Sequence, residues 1–182
     1  MGEGDVRFVN VPVQNITNEL QRGKIFAGHV YSPFISDALK KGFKILSTGA
    51  SVPGIITNVL AFHSDVVGQR PQDIQNIVKS MDEAKKDYEI NKDQDISIMS
   101  KMSGLSKADI LEGIGNVKLY DLGYNTQFSM NNHLNQTTSL YRSGSEIAKF
   151  YAERGVISEY PNITELVDPV FVNGLLKLNN TR

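Results

Sequence analysis

The sequence lacks cysteine altogether and has only three histidines. Without cysteine, the chain cannot form disulfides, thiolate zinc sites or iron–sulfur clusters, and it has no cysteine nucleophile. None of the histidines, His29, His63 and His133, lies within a helical turn of another, so their spacing does not match that of metal ligands. We therefore expect neither a metal site nor a cofactor.

The sequence also lacks an excess of charge and a long apolar run. Its 19 basic and 20 acidic side chains give a net charge of −1 and a pI of about 6.3, which argues against a nucleic-acid partner. No stretch approaches the ~20 apolar residues of a membrane span. The first residues, MGEGDVRFV, have neither the basic start nor the apolar core of a signal peptide. Either the protein is cytosolic, or an export signal lies outside this chain.

The first fifty of the 182 residues alternate between apolar runs typical of strands and segments with helical spacing. Gly23 and Gly42 stand where two of the helices should end, and Ser32 followed by Pro33 is typical of a helix start. This order predicts a parallel sheet with crossover helices. The predicted strands are VRFVNV (6–11), KIFAGHV (24–30) and FKILST (43–48).

The remainder of the sequence is mostly helical in character. After Arg70, Pro71 opens the longest predicted helix, whose apolar residues recur with a helical period as far as Tyr88. Oppositely charged residues four apart should form weak pairs on its outer, solvated face. These pairs are Asp82 with Lys86 and Lys85 with Glu89.

Further elements are predicted from local signals. The apolar run 54–65 should be extended, and VKLYDLGYN (117–125) reads as a short strand and a turn. Two shorter helices are expected in 95–104 and 106–115, each ended by glycine. Ser143 and Glu146 have the spacing of a capping box, and Asp168 before Pro169 should start a last helix.

The motifs of common enzymes are missing. There is no G-x-S-x-G nucleophile elbow, no P-loop and no G-x-G-x-x-G fingerprint. Most serines coincide with predicted caps and turns. No set of acid, base and nucleophile emerges, so we expect a protein that is not an enzyme.

The hexapeptide GHVYSP (28–33) lies where the second predicted strand gives way to a helix. In open parallel sheets, ligands bind beyond the carboxyl ends of the strands. On one interpretation, Tyr31 and Ser32 face a small ligand there. On the other, Ser32 only caps the helix, Tyr31 packs and His29 lies inside the sheet. The residues alone leave both interpretations open.

A longer stretch carries a family resemblance. LQRGKIFAGHVYSPFISDALKKGFKILSTG (20–49) resembles the signature of the nitrate, sulfonate, taurine and thiamine-precursor substrate-binding proteins of ABC importers. The apolar segment 54–62, the Arg70-Pro71 start of a long helix and the tail PNITELVDPVFVNGLL (161–176) follow in the order found in that family. Together these segments span almost the whole chain.

The resemblance implies a type II periplasmic-binding fold, in which two α/β lobes close on a ligand. The chain matches only the carboxyl-terminal portion of such proteins. Residues 1–55 would form part of the second lobe, with a parallel-rich sheet. Residues 56–182 would form the returning hinge segment and a mainly helical part of the first lobe, which is incomplete. A homodimer or a partner chain would then supply the missing lobe.

The resemblance also implies a function and a set of ligand-binding residues. The chain would capture a small polar or anionic solute, such as nitrate, a sulfonate, taurine or a pyrimidine, outside the cytoplasm, and deliver it to an ABC permease. The alternative is a truncated domain that senses a ligand or binds a protein, without a transport role. The thiamine-precursor branch contains enzymes that depend on cysteine, which this chain lacks. The expected ligand-binding residues are His29, Tyr31, Ser32, Pro33, Ser51, Gly54, Asn125 and Phe128.

Overall fold

The computed structural model describes residues 3–180, with side chains described for residues 4–178. Helices account for its regular structure. The α-helices are α1 (Val13–Gln21), α2 (Phe34–Lys40), α3 (Ser64–Gln69), α4 (Pro71–Ile90), α5 (Lys92–Ser103), α6 (Lys107–Gly115), α7 (Leu122–Tyr124), α8 (Leu140–Glu153), α9 (Ile163–Leu166) and α10 (Val170–Asn180). Short 3₁₀ turns lie at Glu3–Asp5 and Gly49–Ser51, and a π-helical turn at Asn125–Ser129 follows α7.

The predicted α/β fold is wrong for this structure, because residues 3–180 contain no strand. The three predicted strands, the extended run 54–65 and the strand expected near 117–121 do not pair with one another. A β-strand is stable only when a neighbouring strand takes up its backbone hydrogen bonds and a second layer covers its side chains. Here many apolar residues of these runs lie in solvent, as Phe26 and Leu46 show with 96% and 87% exposure.

The helices agree better with their predictions. The long helix begins at Pro71, and the predicted pair of shorter helices corresponds to α5 and α6. Gly23 and Gly42 have positive φ values of 66° and 86° just beyond α1 and α2, as expected for helix-ending glycines. The Asp168 carboxylate accepts a hydrogen bond from the Val170 N–H at 3.0 Å, which confirms the predicted start of the last helix.

The buried face of helix α4 only partly matches the predicted one. Lys86 pairs with Asp82 and Lys85 with Glu89, each at 2.5 Å, so the pairing is confirmed. The solvated position predicted for Asp82 is wrong, because that residue is only 8% exposed. Ile74 is buried on the same side, whereas Met81, a predicted core residue, is 54% exposed. The Asp82–Lys86 pair therefore lies at the edge of a packed surface, and the Lys86 side chain extends into solvent.

The predicted capping box is also wrong. Ser143 lies inside α8, where its hydroxyl donates to the Ser139 carbonyl at 3.1 Å. The helix begins at Leu140, so Ser139 is the residue before it. The Ser139 hydroxyl donates instead to the Asn131 carbonyl at 2.8 Å, which ties the start of α8 to the preceding loop.

The described chain divides into two compact units. The first unit contains the described residues up to Leu46 together with Ile96–Lys118, and in it α1 packs against α2. The second unit contains Ser47–Asp95 and the described residues from Leu119 onward. Its core forms where α10 meets α4 and α7. That core consists of Leu122, Val172 and Leu175, covered by Val78, Met130 and Leu176.

Candidate functional site

The segment that precedes α2 was predicted to hold the ligand-binding residues of the first unit. Pro33, and not Ser32, is the residue that caps α2, and no side chain donates or accepts a capping hydrogen bond there. The Ile35 N–H donates to the Tyr31 carbonyl at 3.2 Å, and the Ser36 N–H donates to the Pro33 carbonyl at 3.3 Å. These two amides are therefore taken up by the chain itself and are not available to a ligand.

Ser32 and Ser36 instead face helix α6 of the same unit. The Asn116 side-chain amide donates to the Ser32 hydroxyl at 3.4 Å, and the Ser36 hydroxyl donates to the Glu112 carboxylate. Gly113 lies between Glu112 and Asn116 in the sequence. A Cβ atom added to Gly113 would lie 4.0 Å from the Ser32 Cβ, so α6 and the segment before α2 are close. We call this place the Ser32 corner, formed by Tyr31, Ser32, Ser36, Glu112 and Asn116.

The aromatic part of the Ser32 corner is Tyr31. Its ring packs edge-to-face against Phe34, with ring centroids 6.0 Å apart and an interplanar angle of 80°. Tyr31 is nevertheless 56% exposed, so a large part of its surface is open to contact. His29 is exposed too and does not hydrogen-bond or ion-pair with another residue in the range 3–180.

Three members of the Ser32 corner were not anticipated, namely Ser36, Glu112 and Asn116. A signal for them exists in the sequence, because Ser32 and Ser36 are four residues apart, as are Glu112 and Asn116. Residues at this spacing share one face of a helix. What the spacing does not reveal is that the two polar faces meet.

The other predicted site residues lie in the second unit. Ser51 ends the 3₁₀ turn Gly49–Ser51 and is exposed. Gly54 has φ +88° and packs tightly against the backbone of Thr137, because a Cβ atom at residue 54 would lie 1.8 Å from the Thr137 carbonyl oxygen. The Thr57 hydroxyl donates to the Gly54 carbonyl at 2.9 Å. Gly54 is thus a point of close backbone packing.

Asn125 and Phe128 belong to the π-helical turn. The Asn125 side-chain amide donates to the Asp121 carbonyl at 2.9 Å, which satisfies a helix carbonyl of its own segment. Phe128 ends a row of aromatic rings. The Tyr120 and Tyr124 rings are stacked with centroids 3.9 Å apart, and the Tyr124 and Phe128 ring centroids are 4.7 Å apart. Phe128 is 37% exposed, so its ring is the outer end of the row.

A surface groove of about 570 Å³ runs along α8 in the second unit. None of the predicted site residues lines it. Its two acidic residues are already paired, Glu146 with Arg142 and Glu153 with Lys149, so the polar part of the groove is largely neutralised. The lining residues are Ile55, Glu146, Ile147, Lys149, Phe150, Tyr151 and Glu153.

The structure offers no metal-binding chemistry in its described part. Between residues 3 and 180, no three side chains of the histidine, cysteine, aspartate or glutamate type come together as metal ligands would. In the same range, no helix combines the length and the apolar character needed to cross a membrane. The Ser32 corner, with its hydroxyls, carboxylate, amide and exposed ring, is a set of groups suited to holding a small polar molecule.

The comparisons with known proteins bear on the same segment. The model of the NMT1-like family matches residues 2–102, which include Tyr31, Ser32 and Ser36. The chain belongs to the NMT1-like family. The resemblance predicted from residues 20–49 is thereby confirmed. No curated protein and no solved structure matches the chain.

Membership of the NMT1-like family gives the function at a coarse level. The family consists of substrate-binding proteins that serve ABC transport, that generally have no enzymatic activity and that typically work outside the cytoplasm. The matched range ends at residue 102, in α5, so it does not extend to Glu112 and Asn116.

Proposed function

We propose that the protein is a solute-binding component of an ABC importer and that it captures a small polar compound at the Ser32 corner. Nitrate, sulfonates, taurine and pyrimidines are the solutes that the family resemblance implies. Membership of the NMT1-like family supports the general role. The proposal needs no bond to be made or broken, because capture and release depend only on hydrogen bonds and packing.

The Ser32 corner is chosen as the site because of the side chains that meet there. The Ser36 hydroxyl donates to Glu112 of α6, and the Ser32 hydroxyl accepts from Asn116 just beyond that helix, while Tyr31 beside Ser32 is 56% exposed. Several polar side chains from two segments thus converge next to an accessible aromatic ring. Such a combination orients a small solute through the polar groups and excludes water through the ring.

Ser51, Gly54, Asn125 and Phe128 belong to the proposal as a second set of ligand-binding residues. Gly54 allows two backbone segments to approach closely, and Phe128 offers the outer ring of its aromatic row. Both features suit a cleft wall, the first by shaping the backbone and the second by giving a flat apolar surface.

The partners in the proposal are an ABC permease and a chain that completes the binding protein outside the cytoplasm. The first unit exposes Phe8 by 81%, Phe26 by 96% and Leu46 by 87%. Large apolar side chains are unfavourable in water, and where they lie together they mark protein contact sites. A second copy of this chain or another partner chain would cover these side chains.

The same exposed residues favour one alternative function. A truncated domain that reports a ligand or a partner to another protein would also need an apolar contact surface, but it would not need a permease. The two functions differ in the protein with which the chain works, a permease in one case and a regulator in the other. Co-purification with a membrane permease supports transport, whereas co-purification with a kinase or another regulator supports sensing.

Ligand binding at the Ser32 corner is tested by thermal-shift measurements with nitrate, sulfonates, taurine, bicarbonate and pyrimidines. A ligand that binds only the folded protein raises the unfolding temperature as its concentration exceeds the Kd. We expect Tyr31→Ala to abolish the shift and to lower the free energy of unfolding by only about 1 kcal/mol, because the side chain is 56% exposed and gives up its edge-to-face contact with Phe34.

Tyr151→Ala is the matched control for Tyr31→Ala. Tyr151 packs edge-to-face on Phe150 at 5.7 Å and 75°, much as Tyr31 packs on Phe34, but it lies in the other unit. The control should keep the ligand-induced shift. If Tyr31→Ala also keeps it, Tyr31 is not part of the site and the proposed location is wrong.

A further inference from the structure

We infer that the Ser32 corner selects solutes that carry a positively charged amino group and rejects simple anions. The inference rests on the proposed function, since it names the class of solute for the same site. It is carried by the Glu112 carboxylate, together with the way in which nearby hydrogen-bond donors are already used.

Glu112 brings an uncompensated negative charge into the Ser32 corner. The carboxylate accepts a hydrogen bond from the Ser36 hydroxyl, which is neutral. No lysine or arginine in the range 3–180 forms an ion pair with it. A carboxylate has about four lone-pair positions, so one hydroxyl leaves most of its accepting capacity for another donor. An ammonium group is the strongest such donor, because both partners are charged.

Several donors that an anion could use in the Ser32 corner are occupied. The Ile35 and Ser36 amides donate to the Tyr31 and Pro33 carbonyls. The Ser36 hydroxyl gives its hydrogen to Glu112, and the Asn116 amide donates to Ser32. An anion would find these donors engaged and would also lie beside a carboxylate, and like charges at short distance repel.

The exposed ring of Tyr31 favours the same class of solute. Tyrosine precedes Ser32 directly in the chain and keeps 56% of its surface exposed. Aromatic rings attract cations through their electron-rich faces, and this attraction adds to that of a carboxylate. A charged amino group is therefore attracted by the Glu112 carboxylate, whereas nitrate or sulfate is repelled by it.

The test compares solutes that differ in one group. Taurine and isethionate share a sulfonate and differ only in an amino or a hydroxyl group, and ethanolamine and nitrate represent a plain ammonium and a plain anion. Calorimetric titration and thermal shifts are recorded for the wild-type chain, for Glu112→Gln and for Glu159→Gln. The last variant removes the same charge from an exposed residue of the other unit.

We expect ethanolamine to bind and taurine to bind more tightly than isethionate. Glu112→Gln should weaken ethanolamine binding at least about tenfold, because a charged hydrogen bond is replaced by a neutral one. Glu159→Gln should leave the affinity unchanged. Since Glu112 is exposed, its replacement should not unfold the protein.

Three other outcomes overturn the inference in distinguishable ways. If nitrate or isethionate binds and ethanolamine does not, the solute class is wrong but capture of a small solute stands. The same holds if ethanolamine binds equally well to the Glu112→Gln variant, because the amine is then held elsewhere. If none of the four compounds and none of the wider solute panel binds, the proposed function fails and the inference falls with it.

Discussion

The two units of the chain use their apolar residues in opposite ways. In the second unit, helices α4, α7 and α10 enclose Leu122, Val172 and Leu175. In the first unit, the buried apolar side chains are Ile16, Ala38 and Ile96, and each comes from a helix. The apolar runs between those helices are left in water, with Phe8, Phe26 and Leu46 more than 80% exposed.

The difference shows what a helix supplies that a strand does not. A helix forms its backbone hydrogen bonds within itself, so an amphipathic helix needs only one apolar surface to pack on. A strand needs hydrogen-bonding neighbours on its edges as well as cover on its faces. The first unit contains strand-like sequences without those neighbours. The apolar side chains of these sequences therefore have no second layer to pack against.

The largest expected effect is the loss of a core leucine from the second unit. Leu175 is 6% exposed and packs with Leu122 and Val172. We expect Leu175→Ala to lower the free energy of unfolding by about 3 kcal/mol, because it removes buried methyl groups and leaves a cavity. Urea denaturation followed by circular dichroism measures the change.

Leu46→Ala in the first unit is the same chemical change at an 87% exposed position. It should alter the free energy of unfolding of the isolated chain by less than about 0.5 kcal/mol. Equal losses for the two variants would contradict the comparison, since they would mean that Leu46 is packed as well as Leu175.

The next effect concerns two glycines with similar backbone angles in different surroundings. Gly54 and Gly42 have φ values of +88° and +86°, but only Gly54 has a neighbour where a Cβ would stand, the Thr137 carbonyl. Gly42→Ala should cost about 1 kcal/mol of unfolding free energy from backbone strain alone. Gly54→Ala should cost at least about 2 kcal/mol, because the chain must also move apart. A smaller loss for Gly54→Ala than for Gly42→Ala would show that the close packing is absent in solution.

The smallest effect is a dependence on alkaline pH that originates in the second unit. Burial, with a contribution from Asp168, raises the pKa of the Tyr141 phenol above its usual 10.0. The hydrogen bond with Glu89 raises the pKa of Lys85, although burial opposes it. Because both groups hold their protons more tightly when folded, their stabilisation is complete below about pH 10 and is lost as the pH rises further.

Urea denaturation at pH 8 and pH 11 measures this dependence. Tyr141→Phe should reduce the fall in stability between the two pH values, since phenylalanine does not titrate. Tyr151→Phe, which replaces a more exposed ring, is the control and should leave the fall unchanged. An identical fall in the wild type and in both variants would rule out Tyr141 as a source.

The sequence predicted features that depend on near neighbours in the chain. The glycines beyond α1 and α2, the Asp168 start of α10 and the ion pairs of α4 involve residues at most four apart. The capping box at Ser143 failed even at this range, because Ser139 offers an earlier start for the same helix. Local signals thus fix the presence of a helix better than its first residue.

The strands were wrongly predicted, and the partners of Ser32 and Ser36 were not foreseen, for a different reason, which is distance along the chain. A strand exists only if a remote segment pairs with it, and no local pattern reports on that segment. Ser32 was predicted at the ligand corner, but its partner Asn116 lies 84 residues away, and Ser36 and Glu112 are 76 apart. The sequence showed the polar residues of each segment and could not show that they meet.

The π-helical turn at Asn125–Ser129 has a consequence for changes in chain length. The Met130 N–H donates to the Asn125 carbonyl at 2.7 Å, five residues back, so the turn holds one residue more than an α-helical turn. Removing a single residue from it would convert the turn into ordinary helix and rotate the side chains that follow the deletion within the turn by about 100° about its axis. A one-residue insertion or deletion here would thus change the direction in which Phe128 and Met130 point, without any substitution.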